Sequence, residues 1–139
     1  MSARVRAALA TAGLFLFGGF LVTLWLSHWA FQGEWRIVRI EGAPSTASGT
    51  LRFDDRQGSR KSSPRKDLGI KTRCGAYGIA YRRDFGRIRF SEPRNLGDPC
   101  PEDGPLLGVL RAATRYRYEG RSLVLAAPDG RRLWLARAE

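Results

Sequence analysis

Apolar residues fill one continuous stretch near the start of the chain and alternate with polar ones through most of its remaining length. Residues 7–33 contain no Asp, Glu, Lys or Arg, with Arg4 and Arg6 before the run and Glu34 after it. Its strongest part, 7–26, has about the 20 apolar residues that a membrane-spanning helix needs. That exceeds the roughly 7–15 of a signal-peptide core, and no small-x-small cleavage site comes after it, because bulky His28 stands two residues before Ala30. Residues 1–33 therefore predict a retained single-pass membrane helix, with a cleaved signal sequence as the alternative. Trp25, Trp29 and Phe31 suit the aromatic belt at a bilayer interface.

From Glu34 onward, residues 34–139 read as one domain whose period is that of strands. Trp35 and Ile37 alternate with Val38 and Ile40, Leu51 and Phe53 flank Arg52, and Tyr77, Ile79 and Tyr81 recur at every second position. So do Ile88 and Phe90, Tyr116 and Tyr118, Leu123 and Leu125, and Leu133 and Leu135. Such alternation buries one sheet face and wets the other. Asp84-Phe85-Gly86, Glu119-Gly120-Arg121 and Pro128-Asp129-Gly130 supply turn chemistry between the runs. One segment departs from this period. Leu106, Val109, Leu110 and Ala113 fall on one helical face, with Pro105 suited to the first turn, Asp103 or Gly104 as its cap, and Gly108 marking close packing. The predicted class is α+β, mostly β: a small antiparallel sheet or partly closed barrel with one packed helix, preceded by one N-terminal transmembrane helix.

Charge adds a partner class. The chain carries 24 basic against 13 acidic residues, a net charge of +11, and only Arg4 and Arg6 of the basic ones precede the domain. A field of that size favours anionic partners such as lipid headgroups, envelope polymers or nucleic acid. Only Lys61, Lys66 and Lys71 are lysines, an arginine skew that composition bias also produces. Residues 56–73 concentrate the charge among serines, a proline and glycines, so they read as a long basic loop. Arg60, Lys61, Arg65 and Lys66 are its candidate contacts to an anionic surface. The alternative is a solvated insertion. No aromatic side chain is interleaved there to stack a base or anchor in lipid, which favours the solvated insertion.

Two cysteines, Cys74 and Cys100, are explained more simply as one disulfide in an oxidising compartment than as a metal site. Positive charge on the two flanks of the anchor is nearly balanced, since Arg36 and Arg39 answer Arg4 and Arg6, so the cysteines decide the orientation. The expectation is an inner-membrane protein whose carboxyl-terminal domain faces the periplasm. The reverse orientation, a basic domain that binds anionic membrane or nucleic acid on the cytoplasmic side, is the alternative.

The order of these pieces over residues 34–137 resembles the META domain of HslJ-like bacterial envelope proteins. The carrying residues are Gly33-Glu34-Trp35-Arg36-Ile37-Val38 with Gly42, the strand through Phe53, and Cys74 with Tyr81 seven residues on. Arg87 to Phe90, Cys100, the helix from Pro105 and the closing meander with Gly130 complete the order. The resemblance implies a small β-rich fold with one helix, an envelope location and no established enzymatic activity. Three departures stand out: Arg73-Cys74-Gly75 replaces the usual Gly-Cys-Asn, Ile79 stands where a glycine is expected, and no cysteine is placed to carry a lipid anchor.

Catalytic patterns fail one at a time. The one histidine, His28, lies at the membrane run, which removes Ser-His-Asp and Cys-His arrangements from the domain. Cys74 and Cys100 are too few ligands for zinc. Asp54 and Asp55 are neighbours on a strand and point to opposite faces, and Glu102-Asp103 is likewise an adjacent pair. No phosphate loop or dinucleotide fingerprint is present. The sequence thus predicts a non-enzymatic binding, scaffolding or stress-related module without cofactor or metal.

Overall fold

A computed structural model describes residues 31–42, 48–54 and 66–138, together with 18, 19, 21 and 22. The chain divides into two units, Met1–Gln32 and Gly33–Glu139. In the first, Gly18, Gly19, Leu21 and Val22 are helical. The rest of the expected anchor at 7–26 lies outside the described residues, and among the described residues no helix is long and apolar enough to cross a membrane.

The second unit is built from strands whose inward positions match the apolar period. β1 (Gly33–Glu41) buries Trp35 and Ile37 and pairs with β2 (Gly49–Asp54), which buries Leu51 and Phe53. A register shift between Ile37 and Arg39 marks a bulge in β1 and leaves Val38 exposed on the outer side. β3 (Lys66–Thr72) joins β2 to β4 (Ala76–Asp84), whose Tyr77, Ile79 and Tyr81 are all buried. β5 (Arg87–Phe90) and the two-residue β6 (Arg94–Asn95) share the other edge of β4. β7 (Arg115–Glu119), β8 (Ser122–Ala126) and β9 (Arg132–Arg137) form a meander that returns to β1.

Because β3 also pairs with β4, the sheet closes into a ring in the order β1-β2-β3-β4-β5-β7-β8-β9. A closed antiparallel ring of that size has an interior that side chains can fill. Here Phe53 meets Tyr81 edge to face with ring centroids 5.3 Å apart, and Leu123, Leu125, Leu133 and Leu135 are fully buried. The narrowest seam is β5–β7. It pairs Arg87 with Arg115, flanked by the Ile88 N–H donating to Thr114 O and the Tyr116 N–H donating to Gly86 O.

A 3₁₀ turn at Pro101–Asp103 leads into α1 (Gly104–Ala112), with Pro105 in its first turn. Its Leu106, Val109 and Leu110 are fully buried and the helix packs on β5, β8 and β9. Each such side chain contributes roughly 1.5–3 kcal/mol of burial. Gly108 does mark a close approach, although its neighbour is not the sheet: a Cβ there would stand 3.0 Å from the Arg131 guanidinium.

Three expectations are corrected. The basic loop does not extend to residue 73, because Lys66–Thr72 is a strand paired on both sides, with Leu68, Ile70 and Thr72 facing the core. Two isolated apolar residues among lysines, glycine and aspartate hide that alternation. Tyr116 and Tyr118 do not form a buried face, because β5 runs alongside β7 only as far as its first residues and leaves Tyr118 uncovered. Asp103 stands at the start of α1 but its side chain makes no capping hydrogen bond, being engaged elsewhere.

Candidate functional site

The β4–β5 hairpin exposes a face of like charge. In strict alternation Tyr81, Ile88 and Phe90 turn inward, so Arg82, Arg87 and Arg89 turn out. The antiparallel register sets Arg82 directly opposite Arg89, and Arg87 opposite Arg115 of β7. Like charges directly opposite destabilise a sheet by roughly 0.2–1 kcal/mol. Among the described residues none of these four guanidinium groups forms an ion pair, although Asp84 stands across from Arg87 in the hairpin register, whereas Arg111 pairs with Glu92 at 2.7 Å and Arg117 with Glu119 at 2.8 Å.

These residues line an open cleft of about 620 Å³. Lys66, Arg82, Arg83, Arg87, Arg89 and Arg115 form its wall, and Asp84 is the acidic residue among them. Guanidinium groups stay charged at every physiological pH and offer a planar fork that matches phosphate, sulfate or carboxylate oxygens in pairs. An anion held between two opposed arginines would relieve their repulsion.

Near the opposite end of β4 lies a buried cluster of a different kind. Asp103 is 2 % exposed, and its Oδ2 accepts hydrogen bonds from the Thr72 hydroxyl at 2.6 Å and the Tyr77 hydroxyl at 2.8 Å. The Gly75 N–H donates to Thr72 Oγ1 at 2.9 Å, and the Thr72 N–H to the Gly75 carbonyl at 2.9 Å. Burial pushes the Tyr77 phenol up to about 12. The Asp103 hydrogen bond and charge act in the same direction, and the Cys100 backbone N–H opposes them. Gly75 is required here, since a Cβ would fall 2.6 Å from the Tyr77 hydroxyl and 2.8 Å from Asp103 Oδ2.

Cys74 and Cys100 are joined across the same cluster, their Cα atoms 5.8 Å apart. The bond fastens the β3–β4 turn to the residue before the 3₁₀ turn, next to Asp103. Cys74, Cys100 and Glu102 place their ligand atoms within 4.8 Å of one another. Sulfur atoms bonded to each other offer no thiolate, so the group as it stands is a poor metal site.

Of the residues that the sequence pattern assigns to anionic surfaces, Lys66 reaches the cleft and Arg60, Lys61 and Arg65 lie outside the described residues. Sequence reasoning misses the hairpin arginines, although their alternation with Tyr81, Ile88 and Phe90 carries the signal. Arg115 has no such signal, because the β5–β7 adjacency alone brings it there. No family model, no curated protein and no solved structure matches the chain.

Proposed function

We propose that this chain is a non-enzymatic, META-like anion-binding module tethered to the inner membrane, with its domain in the periplasm and its arginine cleft on phosphate-bearing lipid or envelope polymer. The observation that carries this reading is the pair of like-charged cross-strand registers, Arg82 opposite Arg89 and Arg87 opposite Arg115, in one open cleft where Asp84, across from Arg87, is the acidic residue among five arginines and a lysine. Such an arrangement lowers the stability of the free protein and is offset when an anion binds. The cysteine pair at disulfide distance and the uncharged run at 7–33 support the compartment.

Full-length protein in detergent, titrated with polyphosphate, tests the reading. Arg82→Gln with Arg89→Gln should weaken binding by roughly a hundredfold or more, since hydrogen bonds to charged groups contribute about 1.5–3 kcal/mol each. The salt dependence of binding should flatten as well. Unchanged affinity would remove the cleft from the account. A carboxyl-terminal reporter fusion active in the cytoplasm would overturn the compartment and favour the cytoplasmic alternative.

A further inference from the structure

The tip of the β4–β5 hairpin breaks two rules at one residue. Phe85 and Gly86 form a two-residue loop with φ of 26° and 80°, the positive pair that a tight hairpin needs. Asn or Asp takes the first of these positions readily, and a bulky aromatic side chain does not. Phe85 is the one non-glycine residue with positive φ among the described residues, and its side chain is 83 % exposed. Neither turn geometry nor core packing accounts for a phenyl ring at this point. Backbone strain of this type, kept where the sequence has a cheaper residue available, points to function.

Its surroundings narrow the partner. Next to the tip is a second hollow of about 400 Å³, lined by Phe85, Arg87, Arg115, Tyr116 and Arg117. Arg87 and Arg115 also line the larger cleft, so the ring and the guanidinium groups belong to one continuous surface. A single projecting phenyl is too small an apolar contact for a stable protein interface. A nucleic-acid strand is held by successive aromatic platforms along a groove, and here one ring projects. A bilayer interface suits both features: an aliphatic boundary for the phenyl and phosphates for the arginines.

We infer that the hairpin tip is a docking finger for an anionic lipid bilayer, Phe85 entering the boundary between headgroups and acyl chains while Arg87 and Arg115 take lipid phosphates. The inference rests on the anion-binding reading of the adjoining cleft and names its partner. Charge complementarity supports it, given the net charge of +11.

The test uses the full-length Phe85→Trp variant in vesicles of phosphatidylcholine, with or without phosphatidylglycerol. The readout is the fluorescence gained over wild type, so a tether elsewhere in the chain does not confound it. The expected result is blue-shifted emission and several-fold stronger quenching by lipids brominated near the headgroup when phosphatidylglycerol is present, lost on Arg87→Gln with Arg115→Gln. An indole that remains open to aqueous iodide in every vesicle would overturn the finger, as would its protection by single-stranded oligonucleotide in place of lipid. If polyphosphate binding still depends on Arg82 and Arg89 in that event, the cleft stands without the finger; if the introduced indole enters lipid and polyphosphate binding does not depend on them, the cleft reading fails. A second variant guards against misfolding: Phe85→Asn should raise the thermal midpoint, and a lowered midpoint would show that the ring serves packing.

Discussion

The Asp103 cluster and the arginine face of the β4–β5 hairpin obey opposite rules. Around Asp103 the buried polar groups are matched: Thr72 and Tyr77 donate to one carboxylate oxygen, Gly75 leaves space for it, and Cys74–Cys100 fastens the same spot covalently. On the hairpin Arg82 faces Arg89, Arg87 faces Arg115, and a phenyl ring stands in water on strained backbone. The first arrangement stabilises the fold. The second lowers its stability, and physical chemistry gives it a purpose only if something absent from the free protein covers it. The two regions share β4, so one strand anchors the core at Tyr77 and carries the proposed anion-binding face at Arg82.

The largest effect should come from separating the cluster. Opening the Cys74–Cys100 bond, whose sequence separation is 26, restores loop-closure entropy worth roughly 3–4 kcal/mol, a large share of the roughly 5–15 kcal/mol margin of a small domain. Denaturation of Cys74→Ser with Cys100→Ser should show that loss and should leave polyphosphate affinity unchanged at temperatures where the variant is folded. Asp103→Ala comes next. It removes the acceptor of the buried Tyr77 hydroxyl at about 1–3 kcal/mol, while the Thr72 hydroxyl keeps the Gly75 carbonyl at 3.2 Å, again without a direct effect on the anion site. Should either variant lose anion binding while remaining folded, the division between the two regions would be wrong.

A pH titration sharpens the same contrast. The phenol of Tyr77 is raised from 10.0 to about 12 in the fold, so its contribution is complete below pH 10 and is lost as the pH rises through about 12. Stability should therefore fall across that window in wild type, and more shallowly in Tyr77→Phe. Parallel curves for the two proteins would show that the phenol makes no such contribution. A smaller effect is expected at Asp129. There the Arg131 backbone N–H, bonded at 3.0 Å, and the Arg131 guanidinium at 2.7 Å hold the carboxyl below its ordinary range on an exposed turn. Asp129→Asn should leave the denaturation midpoint nearly unchanged, because an exposed ion pair is screened by solvent.

The fold is legible where side chains alternate over several residues. β1, β2, β4, β5, β8 and β9 each place at least two large apolar groups at every second position, and α1 shows its stripe clearly. β3 is hidden because its inward set ends on Thr72 and its outward set is charged or glycine. β6 has no side-chain signal at all, since two exposed residues pair through backbone alone. The Asp103 cluster cannot be read for another reason: Tyr77 and Asp103 are 26 residues apart, and no local period records that they meet. The basic face is partly legible, in that three hairpin arginines keep to the strand period. Strand adjacency supplies the fourth.

The most direct measurement of the central claim is Arg82→Glu in the full-length protein, with denaturation and polyphosphate titration on the same preparation. The substitution places opposite charges across β4 and β5 at Arg89, which should raise stability by roughly 0.2–1 kcal/mol. It should weaken anion binding by roughly tenfold or more. Gain of stability with loss of binding is the result expected of a face whose like charges exist for a ligand. Loss of stability with binding intact would contradict it.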